Sequence, residues 1–297
     1  MTPYAILRRN SVLIIVLASC LVGQAFADGR ALSACSAQGL PSSAPYPVFF
    51  RFDDVQDYWL ADSQAAVIDL FVGEEVNLML AVIGSVFGSN NELVEMISRN
   101  KKWLTVVNHG WDAMDSEDGR SALLRQSSRR AREEILNTNR RIKEVLGVTP
   151  NVFVPHQLAF DEPMLEAIES LEFESVFAAC PLHEGLNVCI ENCGVQRLVG
   201  ESDGAFDPLT VIPTCAAFQW RPEVGKKPRP VEQIIDDVRL STKNFCMAAV
   251  MLHPQDFSRK DGSVNQEALG VLAQLLKVLK SKPDEYRLVS YDQISEN

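Results

Sequence analysis

Short apolar runs alternate with helical patterns along most of this chain, and that alternation limits its fold more than any other feature. The runs fall at Val48–Phe52, Asn77–Ile83, Leu104–Val107, Val152–Val154, Ser175–Ala179, Leu209–Ile212, Met247–Leu252 and Arg287–Ser290. Between them, the spacing predicts helices over Ser63–Val72, Asn91–Lys101, Arg120–Leu146, Asp161–Leu171, Val231–Thr242 and Gln266–Leu279. Strands that take turns with helices pair in parallel, because each helix carries the chain back to the same end of the sheet. About eight such runs in 297 residues match the size of one (β/α) barrel. A doubly wound open sheet is the competing architecture, but the glycine fingerprint of dinucleotide-binding sheets is missing after the early strands.

The N-terminus reads as an address. Arg8 and Arg9 precede the apolar run Ser11–Gly23, and Ala25-Phe26-Ala27 supplies a small-residue cleavage pattern. The run is too short to span a bilayer comfortably. The expectation is a signal peptide over 1–27, a Ser/Pro/Ala-rich lead over 28–47 and a single barrel domain over 48–297, secreted and without stable membrane insertion after cleavage. Removing the first segment takes Cys20 and leaves Cys35, Cys180, Cys189, Cys193, Cys215 and Cys246, an even set that favours disulfides in an oxidising compartment. The C-x3-C spacing of Cys189 and Cys193 is a weak metal signal beside that. A formal net charge of −11 argues against a nucleic-acid or anionic-membrane partner. The basic stretch Arg129 to Lys143 is interleaved with Glu133 and Glu134, which reads as a solvated helix face laced with ion pairs.

In barrels the reactive groups stand at the carboxyl ends of the strands. Four apolar runs here end in such groups: Val48–Phe52 in Asp53-Asp54, Leu104–Val107 in Asn108-His109, Val152–Pro155 in His156, and Met247–Leu252 in His253. Three of the four histidines therefore close strands. Adjacent residues of an extended segment point to opposite sides, so Asp53 and Asp54 can take separate tasks.

The order Phe52-Asp53-Asp54, Asn108-His109-Gly110-Trp111-Asp112, Phe153-Val154-Pro155 and Met251-Leu252-His253-Pro254 resembles the NodB-type polysaccharide deacetylases, which are metal-dependent carbohydrate esterases. The resemblance runs from Val48 to about Ile294. It implies a distorted (β/α)7-8 barrel and removal of acetyl groups from an N-acetylated polysaccharide or oligosaccharide. It also implies roles: Asp53 as catalytic base, His253 as general acid, Asp54 and His109 as ligands of a divalent metal, with zinc suited to carboxylate and imidazole. Trp111, beside His109, and Pro155 become substrate-binding candidates. Trp59 and Trp220 are further flat surfaces that a sugar ring could use.

Two positions depart from the pattern. The family carries a second metal-binding histidine four residues after the first, where this chain has Ala113. Asp112, Asp115 and His156 are the available replacements; if none serves, a catalytically impaired, carbohydrate-binding protein is the alternative. The stretch before Pro155 also holds Phe153 and Val154, where the family has an arginine to orient the base.

Overall fold

The computed structural model describes residues 43–112, 126–159, 161–171, 173–179 and 210–291. The expected signal peptide, most of the lead, Ala113, Asp115, His183, Cys35, Cys180, Cys189 and Cys193 lie outside the described residues.

Strands β1 (Tyr46–Val55), β2 (Leu78–Val82), β3 (Leu104–Asn108), β4 (Val152–Phe153), β5 (Ser175–Ala179), β6 (Thr210–Thr214), β7 (Ala216–Ala217) and β8 (Ala248–Leu252) lie in the order β6-β5-β4-β3-β2-β1-β8-β7. A short β9 (Tyr286–Leu288) pairs with β1, and every pairing is parallel. Cys215 alone separates β6 from β7, and β6 packs against β8, so the two ends of the sheet meet in a nearly closed barrel. β1 starts at Tyr46, two residues before the expected boundary, because Tyr46 and Pro47 pair with Tyr286 and Arg287.

Period-two alternation divides the core into two layers. Val48, Phe50 and Phe52 of β1, Leu78, Leu80 and Val82 of β2, and Ala248, Val250 and Leu252 of β8 face outward. There they pack on helices α1 (Ala61–Gly73), α5 (Val231–Phe245) and α6 (Gln266–Lys280), through residues such as Ile68, Phe71, Val238 and Leu276. The alternate residues Phe49, Met79, Ala81, Val107, Ala249 and Met251 fill the barrel interior. Both faces are buried, which explains why the strands read as continuous apolar runs.

Helix α2 (Asn91–Arg99) is capped by Asn90, and α3 (Ser128–Leu146) by Ser127, whose hydroxyl accepts from the Arg130 amide. That cap starts α3 eight residues later than the spacing predicts, since a cap ends the helix regardless of the polar pattern before it. The other end stands where expected, at Gly147 with φ 72°. Arg129–Glu133 and Arg130–Glu134 form i,i+4 pairs on its exposed face. Helix α4 (Glu162–Glu169) carries Pro163 in its first turn behind the Asp161 cap. α3 lies close to the turn after β2: a Cβ on Gly84 would stand 2.8 Å from the Thr138 Cα. Cys215 and Cys246 are buried. Among the described residues, no helix is long and apolar enough to cross a membrane.

Candidate active site

The end of β1 supplies two carboxylates that do not follow simple alternation. The pairing of β1 with β2 shifts register between Phe52 and Val55, and Asp54 takes a left-handed conformation with φ 58°. A bulge of this kind re-aims one side chain, so Asp54 turns toward the ends of β3 and β4 while Asp53 stays on the interior face. The expectation that an extended backbone separates the two is therefore corrected; the bulge separates them. Left-handed backbone at a non-glycine residue carries a modest energetic cost, of the kind that gathers at functional sites.

Asp53 is held by Arg51, two residues earlier on the same face of β1. Arg51 Nε donates to Asp53 Oδ1 at 2.6 Å and Nη2 to Oδ2 at 2.8 Å, while Nη1 donates to Thr214 Oγ1 at 3.0 Å. The guanidinium stacks over the Phe177 ring at 4.3 Å, and Arg51 is 0% exposed. Phe153 and Val154 leave the base without an arginine from β4, but β1 itself supplies one.

Asp54 faces two imidazoles. His109 Nε2 stands 3.3 Å and His156 Nδ1 3.9 Å from Asp54 Oδ1, and Gln255 Nε2 donates to Oδ2 at 3.2 Å. His109 is fixed from behind, with its Nδ1 2.8 Å from the Val154 carbonyl. A carbonyl only accepts, so Nδ1 carries a proton and Nε2 is the nitrogen turned toward Asp54. The backbone around it is pinned as well: Asn108 Nδ2 donates to the Ile135 carbonyl and to Asn139, and its Oδ1 accepts from the amide of Gly110, which turns at φ 84°. His156 opens a 3-10 turn that continues through left-handed Gln157 and Leu158.

The resulting group has the shape of a cation site. One ligand atom each from Asp54, His109 and His156 lies within 4.8 Å of the others. Asp54 Oδ1 is buried and accepts no hydrogen bond of good geometry although imidazole nitrogens face it. Lone pairs turned toward one another in a buried pocket repel unless a proton or a metal ion stands between them. Burial raises the Asp54 carboxyl, but the His109 imidazole facing it at 3.3 Å and the charges of His253, His109 and His156 hold it far below its ordinary value. Burial lowers His109, yet the neighbouring Asp54 and Asp53 carboxylates bring it above its ordinary value.

His253 lies on the other side of Asp53, with Nε2 4.0 Å from Asp53 Oδ2 and Nδ1 3.9 Å from Asp256 Oδ2. Asp256 accepts the His253 backbone N–H at 2.9 Å. Burial pushes His253 down, helped by Arg51 and His109 and opposed by Asp54 and Asp53. Burial pushes Asp256 well up, against the hydrogen bond from the His253 amide.

Asp53, Asp54, His109, His156 and His253 thus converge as the strand ends predict. Asp112 is exposed and lies outside the metal-type group, Trp111 is half-buried, and Pro155 is buried ahead of the His156 turn. Trp59 is exposed, and Trp220 packs against the inner layer. Arg51, Gln255 and Asp256 were not anticipated; the available signal for Arg51 was a charge inside an apolar strand, two residues from a carboxylate.

Residues 43–176 match the polysaccharide deacetylase family. A family 4 acetyl xylan esterase from Clostridium thermocellum, solved with a cobalt ion, is similar at TM-score 0.52 and 19% identity, over 84% of this chain and 89% of that one. Peptidoglycan deacetylase PdaC from Bacillus subtilis aligns at TM-score 0.50 and 16% identity, over 84% and 90%. A CE4 family pseudoenzyme from Bacillus anthracis aligns at TM-score 0.50 and 13% identity, over 82% and 67%. At these identities the likeness is one of fold. No curated protein matches the chain.

Proposed function

We propose, from the match of residues 43–176 to the polysaccharide deacetylase family, that the chain is a secreted, zinc-dependent hydrolase removing acetyl groups from an N-acetylated glycan. The observation that carries this reading is the buried group of Asp54, His109 and His156 beside the facing pair Asp53 and His253. One carboxylate and two imidazoles form a zinc donor set, with His156 from β4 serving where Ala113 has no lone pair to give. The bound cation supplies polarisation of the amide carbonyl and a lower pKa for the attacking water.

Asp53, fixed at the mouth of β1, takes the proton of that water. His253 faces the same space, 4.0 Å from Asp53, and in its protonated form gives a proton to the departing nitrogen. Gln255 keeps Asp54 turned toward the two imidazoles. The signal-like leader and the even number of cysteines that follow it support export to an oxidising compartment.

A deacetylase-like glycan-binding protein without turnover is the rival reading, favoured by Ala113 and by the likeness to a pseudoenzyme fold. Elemental analysis and acetate release from chitin oligomers and peptidoglycan separate the two. The enzyme reading expects one zinc per chain with acetate release, and a fall of about 10² in turnover with metal retained in Asp53→Asn, the usual scale for losing a general base. Sugar binding with neither metal nor acetate release overturns it.

A further inference from the structure

We infer that Arg51 is the positioning residue of the base: it fixes the Asp53 carboxylate, from the same strand, in the orientation that faces His253. The inference rests on the deacetylase reading and extends it to a residue that neither the strand ends nor the four motifs point to.

The geometry carries it. Each guanidinium nitrogen of Arg51 has its own acceptor, with both Asp53 oxygens taken by Nε and Nη2 and Thr214 Oγ1 by Nη1. Two parallel bonds set the rotation of a carboxylate, where a single bond or a point charge would leave it free to turn. Thr214 stands on β6, 163 residues away, and Phe177 on β5 lies under the guanidinium plane at 4.3 Å. Arg51 therefore ties the orientation of Asp53 to the opposite wall of the barrel. Oδ2, the oxygen gripped at 2.8 Å, is also the one 4.0 Å from His253 Nε2.

A purely structural role explains less. Replacing a buried ion pair by apolar residues of similar volume is often neutral or stabilising, and the surrounding interior layer is apolar: Phe49, Met79, Phe177, Ala249 and Met251. A charge pair at this point costs desolvation that Leu or Met would avoid, and it lies against the site rather than at the closed end of the barrel.

A double-mutant cycle in the zinc-loaded protein tests the inference, with kcat and KM for acetate release from a chitin oligomer as readouts and zinc content measured alongside. Arg51→Met is expected to lower kcat by about 10- to 100-fold, the scale of a misplaced catalytic group, with KM within about threefold and zinc retained. Arg51→Lys, which keeps the charge but loses the fork, is expected between Arg51→Met and wild type. In the Asp53→Asn background the same Arg51→Met change is expected to cost less than about twofold, because groups acting as one unit are non-additive. An equal loss in both backgrounds, loss of zinc, or wild-type kcat in Arg51→Met overturns the inference. Should Arg51→Met fail to fold, the cycle is read with Arg51→Lys by the same criteria. Absence of acetate release from zinc-loaded wild type is a separate failure, visible before any variant is made; it overturns the deacetylase reading and this inference with it.

Discussion

β1 presents two faces with different duties. Outward, Val48, Phe50 and Phe52 meet the helices and carry only shape and apolar area. Inward, Phe49 is followed by Arg51 and Asp53, whose positions are set by bonds rather than by packing. Helix-facing positions are interchangeable in kind, since an apolar side chain of similar volume restores most of what is lost. Mouth-facing positions are not, because an amide or an alkyl group of the same size has neither the basicity to take a proton from water nor the charge that a carboxylate offers a cation. Stability and chemistry therefore sit on alternate residues of one strand, and substitutions on the two faces should produce separable effects.

The largest effect is expected on the outward face. Phe50 is 1% exposed and packs edge-on against Phe71 at 5.1 Å, so Phe50→Ala should cost about 3–5 kcal/mol of stability. Zinc stoichiometry and kcat of the remaining folded protein should stay at wild-type values. Denaturant titration with parallel acetate-release assays checks this, and a specific loss of zinc would break the division between the faces.

At the mouth, His156→Ala should weaken zinc binding by tenfold or more, at least about 1.4 kcal/mol, with an unchanged unfolding midpoint in the metal-free state. On the proposed reading Ala113→His should add little, because His156 would already fill the position. A competitive zinc titration of wild type and both variants decides the matter: a gain confined to Ala113→His, with His156→Ala silent, would show the site to be incomplete.

The smallest effect concerns Asp256. Its carboxyl, raised well above 3.8 by burial, binds its proton more tightly in the folded than in the unfolded state. Stability should therefore fall as pH rises from about 3.8 through the folded-state value, because over that window the folded state binds more protons. Asp256→Asn keeps an acceptor for the His253 amide and should lack this fall, which unfolding midpoints measured across pH can show. Parallel profiles for the two proteins would mean that the carboxyl is not buried as a neutral acid.

Much of the barrel was legible because parallel strands covered on both faces leave uninterrupted apolar runs, and because a strand end is the place where a barrel tolerates polar groups. That ground places Asp53, Asp54, His109, His156 and His253 at strand ends, and the structure brings them close together there. Arg51 was not, since a single charge in an apolar run carries no statement about its partner until the partner two residues on is seen to share its face. The φ of Asp54 was invisible because nothing in Phe52-Asp53-Asp54-Val55 marks a bulge in the way a glycine would. Gln255 and Asp256 were hidden for a different reason: loop residues acquire their roles from distant elements, and Gln255 meets Asp54 across 201 residues.

The spacing of Arg51 and Asp53 also bears on the order in which the barrel forms. Their bond spans two residues and can close as soon as β1 is extended, before any other strand arrives. The charge then enters the core already neutralised by its neighbour, so collapse around β1 need not wait for β6 to deliver Thr214. The cation site assembles on another schedule, because Asp54, His109 and His156 come from three strands and become neighbours only after β3 and β4 have docked. A cation added during refolding would meet its site only after these three strands are in place, and would act as a late clasp on the barrel rather than as its nucleus.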